Sequence, residues 1–372
     1  MTRMVWEVRS ISHLTRMERM SILDRDSHRV PRRQIDHPQE TMTVTRRLLR
    51  AMLAMGTLAA VSLALSPARA ADYPTRPIKL IVPWGAGSGI DVQTRQFATA
   101  FAEAIGGPVV VENRTGAGSQ IGYEIAARAE PDGYTLFAGT NANFIHQFLR
   151  PTSKIDPLKD MAPITLVNWL PSVLVVAKDS PVRSVDDLVA LARSRPGALA
   201  YGSGGMGAAS HLLASAIVSR NGLDVAHVPL RTLTADLAPM LARGDIHFAF
   251  PVTSVAANQI AAGTVRPIAI TSAQRHPQWP DVPTLAESFK DERYVADSWN
   301  GLFAPAGTPE PILRKIFAAA VKAVDSPLHQ ASARTLLTIP EKSDSPAAFR
   351  KFLEREALKW RDMVVDSGIK AE

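Results

Sequence analysis

The 372-residue chain has no cysteine, so disulfide frameworks and thiolate chemistry are excluded. The histidines beyond residue 70 are His146, His211, His227, His247, His276 and His329. No two of them form an H-x-x-x-H or H-E-x-x-H pair, which argues against a metal site. There is no G-x-x-x-x-G-K-[ST] phosphate loop. No G-x-S-x-G elbow surrounds Ser88, Ser119 or Ser203, because Ala86, Ala117 and Tyr201 stand two residues before them. The sequence therefore calls for no metal or other cofactor.

Lys and Arg are also missing from three glycine-rich stretches: Pro83-Trp84-Gly85-Ala86-Gly87-Ser88-Gly89, Thr115-Gly116-Ala117-Gly118-Ser119 and Tyr201-Gly202-Ser203-Gly204-Gly205-Met206-Gly207. Each interrupts an apolar run just before an amphipathic pattern begins. A helix start carries unpaired N–H groups and a partial positive charge, and glycine admits a ligand close to the main chain. The pattern points to a small anion, a carboxylate, gripped by backbone and hydroxyl donors instead of salt bridges.

Thr45-Arg46-Arg47-Leu48-Leu49-Arg50, an apolar stretch from Ala51 to Leu65 and the A-x-A end Ala68-Arg69-Ala70 read as a secretion signal cleaved after Ala70, giving a periplasmic protein. The apolar part is too short for a comfortable membrane span, so no stable insertion of the mature chain is expected. The Arg46-Arg47 pair fits either an ordinary export signal or a twin-arginine one. Residues 1–41 read as disordered or as a mis-assigned start, with Met42 as a normal initiator. Residues 1–70 carry 12 Arg and 6 acidic residues, which leaves 30 basic against 29 acidic residues beyond Ala70. The formal charge of +7 is thus no nucleic-acid signature.

Beyond Ala70, short apolar runs alternate with helical patterns. Ile78 to Val82, Val109 to Val111, Tyr134 to Ala138, Val173 to Ala177, Leu199 to Tyr201, Val225 to Val228, Ile246 to Phe250, Val265 to Ile270 and Trp299 to Ala304 read as strands. Asp91 to Ile105 reads as a helix with Phe97, Ala100, Phe101, Ala104 and Ile105 on one stripe. The alternation predicts an α/β protein with parallel sheets and ligands at strand ends. The roughly 300 remaining residues predict two lobes. The tail is helical, and Phe349, Phe352, Leu353, Ala357, Trp360 and Val364 form an apolar stripe expected to pack on one lobe.

Several residues admit two readings. Gly202 to Gly207 matches G-x-G-x-x-G, but Asp224 precedes the next strand instead of ending it, so the dinucleotide reading lacks its acidic partner. Asp91 either caps the first loop or faces the ligand. Trp84 is core or cleft wall, Arg114 an anion ligand or a structural ion pair, and His211 a ligand contact or a packed residue.

Tyr73-Pro74-Thr75-Arg76-Pro77, the loop ending in Asp91, Val111-Glu112-Asn113-Arg114-Thr115-Gly116-Ala117-Gly118, Pro131-Asp132-Gly133-Tyr134-Thr135, Tyr201-Gly202-Ser203-Gly204-Gly205, Asp281-Val282-Pro283-Thr284 and Ala304-Pro305-Ala306-Gly307-Thr308-Pro309 together resemble one family. It is the periplasmic solute-binding proteins of tripartite tricarboxylate transporters, the Bug receptors. The resemblance covers nearly all of residues 71–372. It implies a type II periplasmic-binding-protein fold, with lobe 1 at 71–171 plus 300–372 and lobe 2 at 172–299. A monomeric, non-enzymatic receptor would close on a small carboxylate and serve integral-membrane transporter subunits. By position it implies a site of Trp84, Gly85, Ser88 and Asp91 in the first loop and Ala117, Gly118 and Ser119 in the second. Thr140 and Asn141 would form the third loop, with Gly202, Ser203 and Gly204 on the facing lobe. The chain departs from the family pattern at Trp84-Gly85-Ala86 and at Leu230-Arg231-Thr232 after His227-Val228-Pro229. An exported enzyme and a stand-alone carboxylate sensor remain alternative uses of the same cleft.

Overall fold

The computed structural model describes residues 73–150 and 156–369. The expected secretion signal, its cleavage point and the segment before it lie outside the described residues. Among the described residues, the strands in chain order are β1 (Ile78–Val82), β2 (Val109–Asn113), β3 (Thr135–Thr140), β4 (Met161–Leu170) and β5 (Val173–Ala177). They continue with β6 (Leu199–Ser203), β7 (Val225–Pro229), β8 (Phe248–Ala249), β9 (Val265–Ile270), β10 (Ser298–Pro305) and β11 (Ile339–Pro340). The helices that matter for the site are α1 (Gly89–Ile105), α2 (Gln120–Ala127), α3 (Asn141–Leu149), α4 (Ala209–Arg220), α5 (Thr253–Ala261), α6 (Glu310–Asp325) and α7 (Pro346–Asp366).

Two sheets form, ordered β11-β4-β10-β3-β1-β2 and β7-β6-β8-β5-β9. Their inner logic is the same. Three parallel strands (β2-β1-β3; β7-β6-β8) are followed by one antiparallel strand, β10 or β5. That strand is the one entering from the other lobe, so it runs against its neighbours. The sheets are therefore mixed, where local periodicity suggested parallel ones.

Apolar side chains cover both faces of each sheet, as a doubly wound layer requires. On the first sheet, α1 and α6 bury Phe97, Phe101, Ile312 and Ile316 against Leu80, Val82 and Leu136. The opposite face collects Tyr123, Phe137, Phe144, Trp299 and Phe349. The α1 stripe is the one the sequence shows, and it stops at Gly106, whose left-handed φ of 78° is natural to glycine. Helix α7 does more than expected. Capped by Ser345 with Pro346 in its first turn, it places Phe349 and Leu353 in the first-lobe core and Trp360, Met363 and Val364 in the second-lobe core. Arg220 Nη2 to Asp366 Oδ2, 2.6 Å, fixes its far end to lobe 2.

The chain crosses between the sheets at residues 170–173 and again before β10. Thr271 joins these crossings: its Oγ1 accepts from Ser172 N at 2.9 Å and lies 2.6 Å from Asp297 Oδ1. Burial pushes the Asp297 carboxyl up to about 7.

Candidate functional site

Lobe 1 presents two helix starts and the Ala117–Ser119 turn to one cleft. Ser88 caps α1 by accepting from Asp91 N, 3.3 Å. Asp91 turns inward and is 2 % exposed. Its Oδ2 accepts from Gly87 N (2.9 Å) and Arg95 Nε (3.1 Å), and its Oδ1 from Asn113 Nδ2 (2.8 Å). Burial raises its pKa, but the bonds from Asn113, Arg95 and Gly87 outweigh that and hold the carboxyl below the ordinary range. Asn113 Nδ2 also donates to Trp84 O, 2.9 Å, so one amide ties the loop to β2.

The second loop is strained. Ala117, Gly118 and Ser119 all have positive φ (45°, 64° and 85°), a conformation that costs about 1 kcal/mol or more at each non-glycine residue. Gly118 lies flat against His146 on α3, where an added Cβ would come within 2.0 Å of Nε2. Burial lowers the His146 pKa, the Arg150 charge adds to this, and a hydrogen bond to the Gly118 backbone opposes both. Thr140 caps α3 in a capping box with Asn143, and Asn143 Nδ2 donates to Ser119 Oγ at 3.2 Å, joining the second and third loops.

Lobe 2 supplies the turn after β6. Ser203 is fully buried, with Oγ 2.6 Å from His227 Nε2 and accepting from Gly205 N at 3.1 Å. Gly204 N donates to Ser210 Oγ (3.0 Å) and Gly207 N to His211 Nδ1 (3.1 Å). The His211 and His227 rings stack at 3.8 Å, with Tyr201 beside them. Burial and then the neighbouring His227 lower the His211 pKa to about 4.

Between these walls lies a cleft of about 490 Å³, within the usual range of small-molecule sites. Trp84, Ser88, Gly89, Ile90, Ala117, Gly118, Thr140, Asn141, Ala142, His146 and Arg150 line it from lobe 1. Gly204, Met206, Gly207, Ala208, Ala209, Ser210, Leu233, Phe250, Val252 and Val255 line it from lobe 2, with Leu170, Ser172, Ser298 and Trp299 at the crossing strands. The starts of α1, α3, α4 and α5 and the Ala117–Ser119 turn thus all meet at one cavity.

Residues 93–368 match the Tripartite tricarboxylate transporter family receptor. The chain belongs to this family. Its structure superposes on the periplasmic binding protein BugD with a TM-score of 0.71 at 28% identity, covering 81% of this chain and 100% of BugD. An R. palustris protein solved with adipate gives 0.72 at 30% identity, covering 80% of this chain and 99% of that one. MatC from Rhodopseudomonas palustris, with bound malate, gives 0.69 at 27%, covering 78% and 100%. The two lobes described above are accordingly a periplasmic-binding-protein fold. No described helix is long and apolar enough to cross a membrane.

Of the site residues expected for such a receptor, Trp84, Ser88, Ala117, Gly118, Thr140, Asn141 and Gly204 line the cleft. Five do not. Gly85 is exposed outside it, Asp91 is the structural anchor of its loop, and Ser119 is buried on Asn143. Gly202 is packed in β6 against Ile246 and Leu230, and Ser203 is buried on His227. His211 likewise holds Gly207 and stands outside the lining, and Arg114 pairs with Glu112 at 2.9 Å. Sequence reasoning missed His146, Arg150 and Trp299. The Trp299 indole donates to Glu356 Oε2 on α7 at 2.9 Å, as does Trp360 at 3.0 Å, so a buried acid on the last helix orients a cleft wall.

Proposed function

We propose that this receptor-family protein is exported to the periplasm after cleavage near Ala70 and binds a small carboxylate between its lobes as a monomer, without catalysis. It then delivers the acid to tripartite tricarboxylate-type membrane subunits. The observation that carries the reading is the convergence of the α1 start, the Ala117–Ser119 turn and the α3 start on one cavity. The first N–H groups of α1 and α3 have no partner within their own helix, and the dipoles of these two helices favour an anion. Adipate and malate in the two related structures are consistent with it. Lobe closure on the acid would create the surface a membrane partner reads.

Ser203 and His227 resemble a hydrolase pair, but Ser203 is fully buried, already engaged by Gly205 N and away from the lining. A nucleophile needs access to its substrate. Native mass spectrometry of the purified protein and thermal shift with a panel of carboxylates, adipate and malate included, test the proposal. A retained acid or a raised Tm is expected. Turnover of an acid, or no response to any member of the panel, would refute it.

A further inference from the structure

The two walls of the cleft offer a ligand different things. On the lobe 2 side the amides of Gly204, Gly205, Gly207 and Ala208 already donate within the protein, to Ser210 Oγ, Ser203 Oγ, His211 Nδ1 and Gly205 O. Among the described residues, the lobe 2 lining has no charged side chain; its hydroxyl, Ser210, accepts from Gly204 N and keeps its own proton to donate. Apart from the α4 start at Ala209 and Ser210, that lining is mostly apolar: Met206, Leu233, Phe250, Val252 and Val255. Met206 is 61% exposed, Leu233, Val252 and Val255 are partly exposed, and Trp84 and Trp299 stand on the other sides of the cavity. A second carboxylate or a run of hydroxyls laid against these five side chains would lose water and find no hydrogen-bonding side chain among them, which is unfavourable. An aromatic ring in the same place would lose nothing and gain burial and edge or face contacts with the aromatic side chains.

Taking the carboxylate-receptor reading as its base, we infer that the ligand is a monocarboxylate with an aromatic body, its head on the helix starts of lobe 1 and its ring on the Leu233–Val255 wall of lobe 2. Specificity then resides mainly in lobe 2, as a penalty against polar tails. The space fits: about 490 Å³ holds a ring, a short linker and a carboxylate.

Titration calorimetry of the purified protein with phenylacetate, 3-phenylpropanoate, malate and citrate tests this. One aryl acid is expected to bind at least tenfold more tightly than malate or citrate. Leu233→Arg, which places a cation on the apolar wall at a partly exposed position, should weaken the aryl acid at least tenfold and bring malate closer to it, while Leu233→Met keeps the original preference. Malate or citrate binding as tightly as the aryl acids overturns the inference and leaves the carboxylate receptor standing. Equal loss of every acid in Leu233→Arg, with an unchanged unliganded Tm, also overturns it, because the wall would then not discriminate. If none of the four acids nor adipate binds, the receptor reading itself fails and the inference falls with it.

Discussion

The two lobes repeat one strand order, yet they hold their glycine turns with different acceptors. In lobe 1 a buried side chain, Asp91, gathers the loop from behind, and Gly89, Ile90 and Asn141 line the cleft. In lobe 2 the turn is held by its own amides, which donate to Ser203, Ser210 and His211. Similar sequence, glycine and serine ahead of a helix, is thus fastened by a buried carboxylate on one side and by hydroxyls and an imidazole on the other. The difference lies in the acceptor: a buried carboxylate takes Gly87 N in lobe 1, whereas hydroxyls and an imidazole take the turn's amides in lobe 2.

The largest effect should come from Gly118→Leu. The substitution meets a φ of 64° and a Cβ position 2.0 Å from His146 Nε2, so the second loop must leave its place. A loss of about 3 kcal/mol in urea unfolding is expected, from backbone strain plus overpacking, together with loss of carboxylate-induced thermal stabilisation. Stabilisation surviving unchanged would remove the second loop from the anion seat and blur the contrast between the walls.

Next is Asp91→Ala, which frees Gly87 N, Asn113 and Arg95 at once. Roughly 2 kcal/mol of stability should go, the scale of charged hydrogen bonds partly replaced by water. Affinity should fall with it because the α1 start loses its support, although Asp91 does not line the cavity. The depressed carboxyl adds a pH signature. Its contribution is complete above the ordinary carboxylate value and fades as pH falls through the lowered one, so wild type and Asp91→Ala should converge in acid. If Asp91→Ala instead changed which acids bind and left stability intact, the residue would be a ligand contact.

Much of the fold could be read from the chain alone, the contrast between the turns could not, and the unread part has physical reasons. The α1 stripe, the glycine turns and β10 show because they are local patterns: Phe97 to Ile105 at helical spacing, glycine at strand ends and an apolar run at Trp299 to Ala304. Strand β4 was hidden by Pro163, which lowers strand expectation and sits at an irregularity of register, opposite Phe303. The antiparallel β5 and β10 depend on lobe crossing, which no local window contains. Gly202 and Ser203 were expected in the cleft from the family resemblance, by their place in the glycine turn, and that place does not say which side faces the ligand. Glu356 reads as a helix-surface acid, and only the tertiary fold brings it to Trp299, 57 residues away in sequence.

A smaller, pH-dependent effect tests the lobe 2 side. His211 Nδ1 accepts from Gly207 N, so the ring must carry its proton on Nε2, and protonation at Nδ1 would set two N–H groups against each other. The ordinary histidine value is 6.5 and the folded value about 4, so between them the unfolded chain binds more protons and this group costs the fold stability as pH falls. Asp297, pushed up to about 7, works in the other direction across the same window. The informative quantity is therefore the difference between wild type and His211→Gln. Its Tm gap should shift by roughly 2–4 °C between pH 7 and pH 4.5, the scale of about 1 kcal/mol. A constant gap would mean that His211 does not fasten the turn.

The smallest effect should be at Gly85→Ala, and a near-zero result is informative there. Gly85 lies between two cleft residues, Trp84 and Ser88, in a loop whose three glycines look alike in sequence. An added Cβ meets nothing within 4 Å, and the backbone is not left-handed, so stability should change by less than about 0.5 kcal/mol. Affinity for the best-binding acid should stay within about twofold, since the lining passes from Trp84 to Ser88 without Gly85. A tenfold loss would mean that the ligand approaches the outer rim of this loop, so that the anion seat of lobe 1 extends outward from the α1 start toward solvent. In that case the anion seat, and with it the contrast to the turn of lobe 2, would have to be placed at the mouth of the cleft instead of on its floor.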